Sequence, residues 1–162
     1  MSRGLEQLQL ERRAFMALVG TLPSEQLQSR SRKGGWSVIE IAEHVVVAER
    51  VVLGGLADFD GLREKTPRSA LRRALVLGVL TLGIPVEVPS AAMRPSGTRD
   101  IETLRFLWNE TEAWMEEFAK RQELRAVFEH PVAGALTLPE AIRLDRAHIR
   151  RHRKQIDAIL RG

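Results

Sequence analysis

The sequence predicts an all-α fold: a four-helix bundle whose long crossover between the second and third bundle helices carries an extra short helix. Apolar residues recur at helical spacing in four long segments, capping residues and helix breakers bound those segments, and no stretch of useful length alternates as a strand would. No internal repeat at a fixed period appears. One domain spanning residues 1–162 is expected at this length.

The first helix runs from Leu5 to Gly20, with Leu8, Phe15, Leu18 and Val19 on its apolar stripe, before Pro23 interrupts the pattern. Ser24–Leu27 reads as a short helical turn, and the polar stretch Gln28–Gly35 as a loop. The second long helix has a marked start. Ser37 is a good N-cap, Glu40 three residues on completes a capping box, and Trp36 stands just before them. Its stripe Ile41, His44, Val45, Ala48 and Val52 continues to about Leu56, which turns His44 inward.

Asp58–Pro67 reads as a polar connector. The apolar segment after Ser69 forms the extra helix and ends where Gly83, Pro85 and Pro89 forbid regular helix. An irregular crossing follows to about Gly97, and Thr98 is the expected cap of the third bundle helix, whose stripe is Ile101, Leu104, Leu107, Trp108, Thr111, Met115 and Phe118. Glu129–Leu136, with Pro131 and Gly134, is expected to be a turn. The last helix starts at Thr137-Leu138-Pro139-Glu140, an N-cap threonine, a first-turn proline and a glutamate at the third position. Its inward face reads Ile142, Asp145, His148, Ile149, His152, Ile156 and Ile159.

Composition removes several classes of function. Without cysteine there are no disulfides, no thiolate ligands and no cysteine nucleophile, so any metal must be held by nitrogen and oxygen. The chain carries 25 Lys+Arg against 21 Asp+Glu, and its basic runs, such as Arg150-Arg151-His152-Arg153-Lys154, lack the interleaved aromatics of a single-strand groove. Those runs read as solvated helix faces, and no specific nucleic-acid partner is expected. No signal peptide is recognised, and the most apolar stretch, Ala74–Ile84, is shorter than the roughly 20 residues of a membrane span. A cytoplasmic protein without a membrane partner is expected. The same stretch offers a face for a homodimer, or a cover for the bundle end. No G-x-S-x-G, HExxH or phosphate-loop pattern is present.

The chemistry concentrates in the histidines. His148 and His152 are four residues apart and share one helix face, and His44 sits on the inward stripe of another helix. Burying three imidazoles without a metal would require hydrogen-bond partners for several ring nitrogens in a dry core. Three neutral imidazoles on a divalent ion leave a fourth position open for water or substrate, the pattern of a catalytic site. Zinc or nickel suits such a site, although nitrogen ligation also admits cobalt, copper and iron. Asp145 can orient a ligand through its free ring N–H or accept a proton; a surface ion pair is the alternative. Glu43 and Glu49 flank His44 and read as exposed charges paired with Lys or Arg, Glu49 also as a brace of the bundle or as a candidate, with Asp145 and His130, to support the metal ligands. His130 reads as a turn residue that can approach the mouth of the site. The tryptophans Trp36, Trp108 and Trp114 read as packing residues, with Trp108 a candidate to line a substrate site.

Gly35-Trp36-Ser37, Glu40-Ile41-Ala42-Glu43-His44, His130-Pro131 with Gly134, and His148-x-x-Arg151-His152-x-x-Gln155-Ile156 together resemble the DinB/YfiT-like superfamily over most of the chain. The resemblance implies a four-helix bundle, often a homodimer, in which a second-helix histidine and a last-helix HxxxH pair hold a divalent metal. The matching positions are His44, His148 and His152. It includes members that transfer low-molecular-weight thiols or isomerise their adducts, and it brings no particular substrate. The expected function is therefore a metal-dependent transferase or hydrolase of a small molecule, with a thiol as candidate cofactor or substrate. The alternative is a non-catalytic, stress-related bundle that binds a metal or ligand, favoured by the absence of an obvious general base.

Overall fold

A computed structural model of the chain describes residues 3–32, 34–54, 67–82, 88, 90–120, 127–130 and 132–162. Its elements are α1 (Arg3–Gly20), the short α2 (Ser24–Gln28), α3 (Val38–Gly54), α4 (Pro67–Leu82), a 3-10 turn (Ala91–Met93), α5 (Ile101–Lys120), β1 (Val127–His130), β2 (Gly134–Thr137) and α6 (Leu138–Arg161). The bundle consists of α1, α3, α5 and α6, with α3 against α5 and α6, and α1 against α6 and α5. Its core is drawn from the stripes read from the sequence, with Leu5 added and Leu18 only half-buried: Leu5, Leu8, Phe15 and Val19 of α1, Ile41 and Val45 of α3, Leu104 and Trp108 of α5, and Ile142, Ile149 and Ile156 of α6.

Both capping boxes form. The backbone N–H of Ser37 donates to Glu40 at 2.7 Å, and the backbone N–H of Thr137 donates to Glu140 at 2.8 Å. These boxes fix where α3 and α6 begin and so fix the rotational phase of their histidines. The cap of α5 differs from expectation. Asp100, not Thr98, accepts the N–H of Thr103 at 2.8 Å, because Thr98 lies two residues too early and its hydroxyl bonds to Ser96 at 2.8 Å instead.

The expected turn at Glu129–Leu136 is the tip of an antiparallel hairpin, Val127 pairing with Thr137 and His130 with Gly134. Gly134 has φ +73°, the left-handed conformation that lets the chain reverse here without Cβ strain. The extra helix α4 packs on α6 and β2. The polar connector from Asp58 and the breakers Gly83, Pro85 and Pro89 lie outside the described residues, as do the side chain of Phe118 and the continuation of α3 to Leu56.

Glu43 and Glu49 do pair with arginines, but neither is an exposed charge; they are 1% and 2% exposed. Glu49 forms an ion pair with Arg12 of α1 and accepts the indole N–H of Trp108 of α5 at 2.8 Å. Arg12 also donates to the Met115 sulfur at 3.0 Å. A buried carboxylate needs its charge met by such donors, so this cluster ties α1, α3 and α5 together. The bracing role read for Glu49 is thus the one its surroundings support.

Candidate metal centre

The imidazoles of His44, His148 and His152 converge between α3 and α6, each with a ring nitrogen within 4.8 Å of one on the others. Nε2 of His44 and Nε2 of His148 are 3.2 Å apart. The ring of Trp36, just before α3, lies 4.7 Å from that of His44 at a tilt of 45° and limits how it can turn.

Backbone and side-chain partners set the tautomers. His44 Nδ1 lies 2.7 Å from the carbonyl oxygen of Met93, which can only accept, so Nδ1 carries the hydrogen and Nε2 is left with its lone pair. His152 Nδ1 lies 2.9 Å from Oε1 of Gln155, and the same reasoning frees its Nε2. All three rings favour the neutral form. Burial lowers the pKa of His44, burial with the neighbouring His152 and His44 lowers that of His148 well below the usual imidazole value, and burial with His44 lowers that of His152 to about 3.

These donors fit a divalent ion. Two nitrogens bound tetrahedrally at about 2.0 Å stand roughly 3.3 Å apart, close to the Nε2 separation of His44 and His148. Neutral imidazoles are what such an ion requires, and two of them, His44 and His152, present bare Nε2 atoms backed by a carbonyl and an amide. The residues that would hold it are His44, His148 and His152.

The histidines open onto a cavity of about 750 Å³, within the range of small-molecule sites. Trp36 and Met93 wall it near the histidines, and Val76, Val79 and Leu80 of α4 close the other side. Asp145 lines it too, buried, with Oδ2 lacking any hydrogen-bond partner. It is not a surface ion pair: burial and the nearby Glu49 charge push its carboxyl well above the usual range, which favours the protonated form. His130 lines the cavity from the hairpin while its Nδ1 accepts the backbone N–H groups of Val132 and Ala133 at 3.1 and 3.0 Å. It therefore braces the turn and also reaches the site. Trp108 does not line the cavity, because its indole is turned into the core toward Glu49 and Phe15; Trp36 takes that place.

Two further contributors had weak signals in the sequence. Glu43, beside His44, accepts the N–H and hydroxyl of Ser96 at 2.9 and 2.6 Å, the N–H of Gly97 at 2.9 Å, and the guanidinium of Arg99. Burial raises its pKa, but those donors outweigh burial and hold it below the ordinary value. It thereby anchors the segment just after Met93. Arg151, counted with a solvated basic run, lines the cavity, whereas Arg153 and Lys154 face solvent. Its spacing of three from His148 and seven from Leu144 was the available signal.

A helical bundle with a histidine on one helix facing an HxxxH pair on the last is the class of protein that this fold and site define. The chain belongs to the DinB superfamily, whose family model matches residues 7–156. No curated protein and no solved structure matches the chain. None of the described helices is long and apolar enough to cross a membrane.

Proposed function

We propose that this protein binds one divalent metal ion, zinc or nickel, through His44, His148 and His152, and acts in the cytoplasm as a metal-dependent transferase or hydrolase of a small molecule such as a low-molecular-weight thiol. The observation that carries this reading is the convergence of three neutral imidazoles at the wall of a mostly apolar cavity. A divalent ion held by three imidazoles supplies Lewis acidity and eases deprotonation of a water or thiol in the remaining position. The chain's own residues do the rest. Asp145 holds a proton in the cavity wall and can donate it, Trp36 and Met93 keep His44 oriented, and the α4 side chains exclude water from the reacting groups. The exposed leucines of α4 support a homodimer formed through that helix.

Elemental analysis of the untagged protein tests the site. About one zinc or nickel per chain is expected, and the His148→Ala/His152→Ala variant should lose it while remaining helical by circular dichroism. Failure of the wild type to bind either metal at micromolar concentration would refute the reading and leave the histidines as core residues.

A further inference from the structure

The buried and half-buried arginines of the bundle are matched with carboxylates: Arg12 with Glu49, Arg73 with Glu140, Arg99 with Glu43 and Arg146 with Glu11. Arg151 is different. Its Nη1 is buried without a hydrogen-bond partner, as is that of Arg12, but among the described residues no ion pair or hydrogen bond at all involves the Arg151 side chain. It lies in the cavity wall beside the histidines, projecting from α6 between His148 and Gln155, which also line the space. A guanidinium donor withdrawn from water and given no acceptor is costly, and the deficit ends when an acceptor enters.

The carboxylates in the wall do not serve as that acceptor. Glu49 is taken by Arg12 and Trp108. Asp145 stands six residues earlier on α6, roughly 9 Å along the axis, and its own Oδ2 is unpartnered. The acceptor must come from the ligand. Arg94, the other arginine there, is exposed, so one buried guanidinium donor is left to meet one anionic group of the ligand. The surrounding Val76, Val79 and Leu80 suit an apolar body. A carboxylate matches the fork of a guanidinium with two parallel hydrogen bonds.

We propose that the cavity takes a small, largely apolar molecule carrying one carboxylate, and that Arg151 binds this carboxylate while the reacting group lies at the histidines. The proposal deepens the reading of the metal centre and rests on it. Arg151 is thus a specificity-determining residue that selects for substrates carrying a carboxylate.

Cobalt-loaded full-length protein, titrated with 3-mercaptopropionate or with uncharged 3-mercaptopropanol and followed by the cobalt–thiolate absorption, provides the test. Wild type should bind the carboxylate thiol about tenfold more tightly than the alcohol, as expected for a charge-assisted hydrogen-bonded pair. Arg151→Gln should abolish that preference while keeping its cobalt stoichiometry and its affinity for the alcohol, and Arg151→Lys should restore part of it. Cobalt loading also reports that each variant is folded. Equal affinities in the wild type, a preference that survives Arg151→Gln, or no binding of either thiol would overturn the proposal with the metal centre intact. Tighter binding of 2-mercaptoethyl phosphate than of the carboxylate would overturn the assignment of a carboxylate. Absence of cobalt binding would instead remove the metal centre, and the proposal with it.

Discussion

His130 shows how one side chain can serve a turn and a site together. Burial lowers its pKa from 6.5 to about 4, because a charged ring would lose hydration; its Nδ1 also accepts two backbone N–H groups. Between those pH values the unfolded chain binds a proton that the folded chain refuses. The stabilisation is therefore complete above pH 6.5 and is lost as pH falls toward 4, a change on the order of 3 kcal/mol. His130→Asn should flatten the pH dependence of urea-unfolding stability across that interval by a corresponding amount, measured in the presence of a chelator. An unchanged slope would show that His130 titrates normally in the folded protein. At this scale the histidine trio was legible because helical periodicity places side chains on faces. Burial of Glu43 and Glu49 was not, since a carboxylate beside an apolar stripe looks the same whether solvent or an arginine from another helix meets it. Arg12 and the Met93 carbonyl come from chain segments whose proximity only the fold creates.

Between elements, Glu43 does the most to shape the site. It reaches from α3 to the segment 96–99 after the 3-10 turn, and that turn supplies the carbonyl that fixes the His44 tautomer. Glu43→Gln weakens three charge-assisted bonds and leaves one amide group poorly matched to its donors. A loss of about 2–3 kcal/mol in unfolding free energy is expected. Metal affinity, measured by chelator competition, should fall about tenfold as the Met93 carbonyl loses its fixed position. A variant that loses stability with full metal affinity would separate the clamp from the site. Helix starts were readable because capping boxes are local, and Ser37/Glu40 and Thr137/Glu140 behave as their spacing implies. The hairpin was readable only as a turn: four-residue strands are too short to display alternation, while Gly134 signals the reversal.

At the level of the molecule, α4 is the element whose role the sequence left between two readings, a homodimer face and a cover for the bundle end. Val76, Val79 and Leu80 close the cavity, while Leu71, Leu75 and Leu82 remain 65%, 61% and 75% exposed. Sedimentation equilibrium should give a homodimer, and Leu71→Glu/Leu82→Glu, which avoids the cavity wall, should shift it to monomer by at least about tenfold in dissociation constant. A wild-type monomer at 100 μM, roughly the weakest association such a face would sustain, would count against the dimer. Periodicity reveals that a face is apolar, but it does not say whether another part of the chain or a second chain covers it. The placement of the histidines has a further consequence for the chain as a polymer. His44 and His148 are separated by 104 positions, so an ion shared between them closes a loop of most of the polypeptide. An ion held by all three histidines would require the two ends of that loop to have met, and its binding free energy would then add to folding free energy. A protein without a single cysteine would then possess a long-range cross-link of the kind disulfides give to others, one cut by a chelator instead of a reductant.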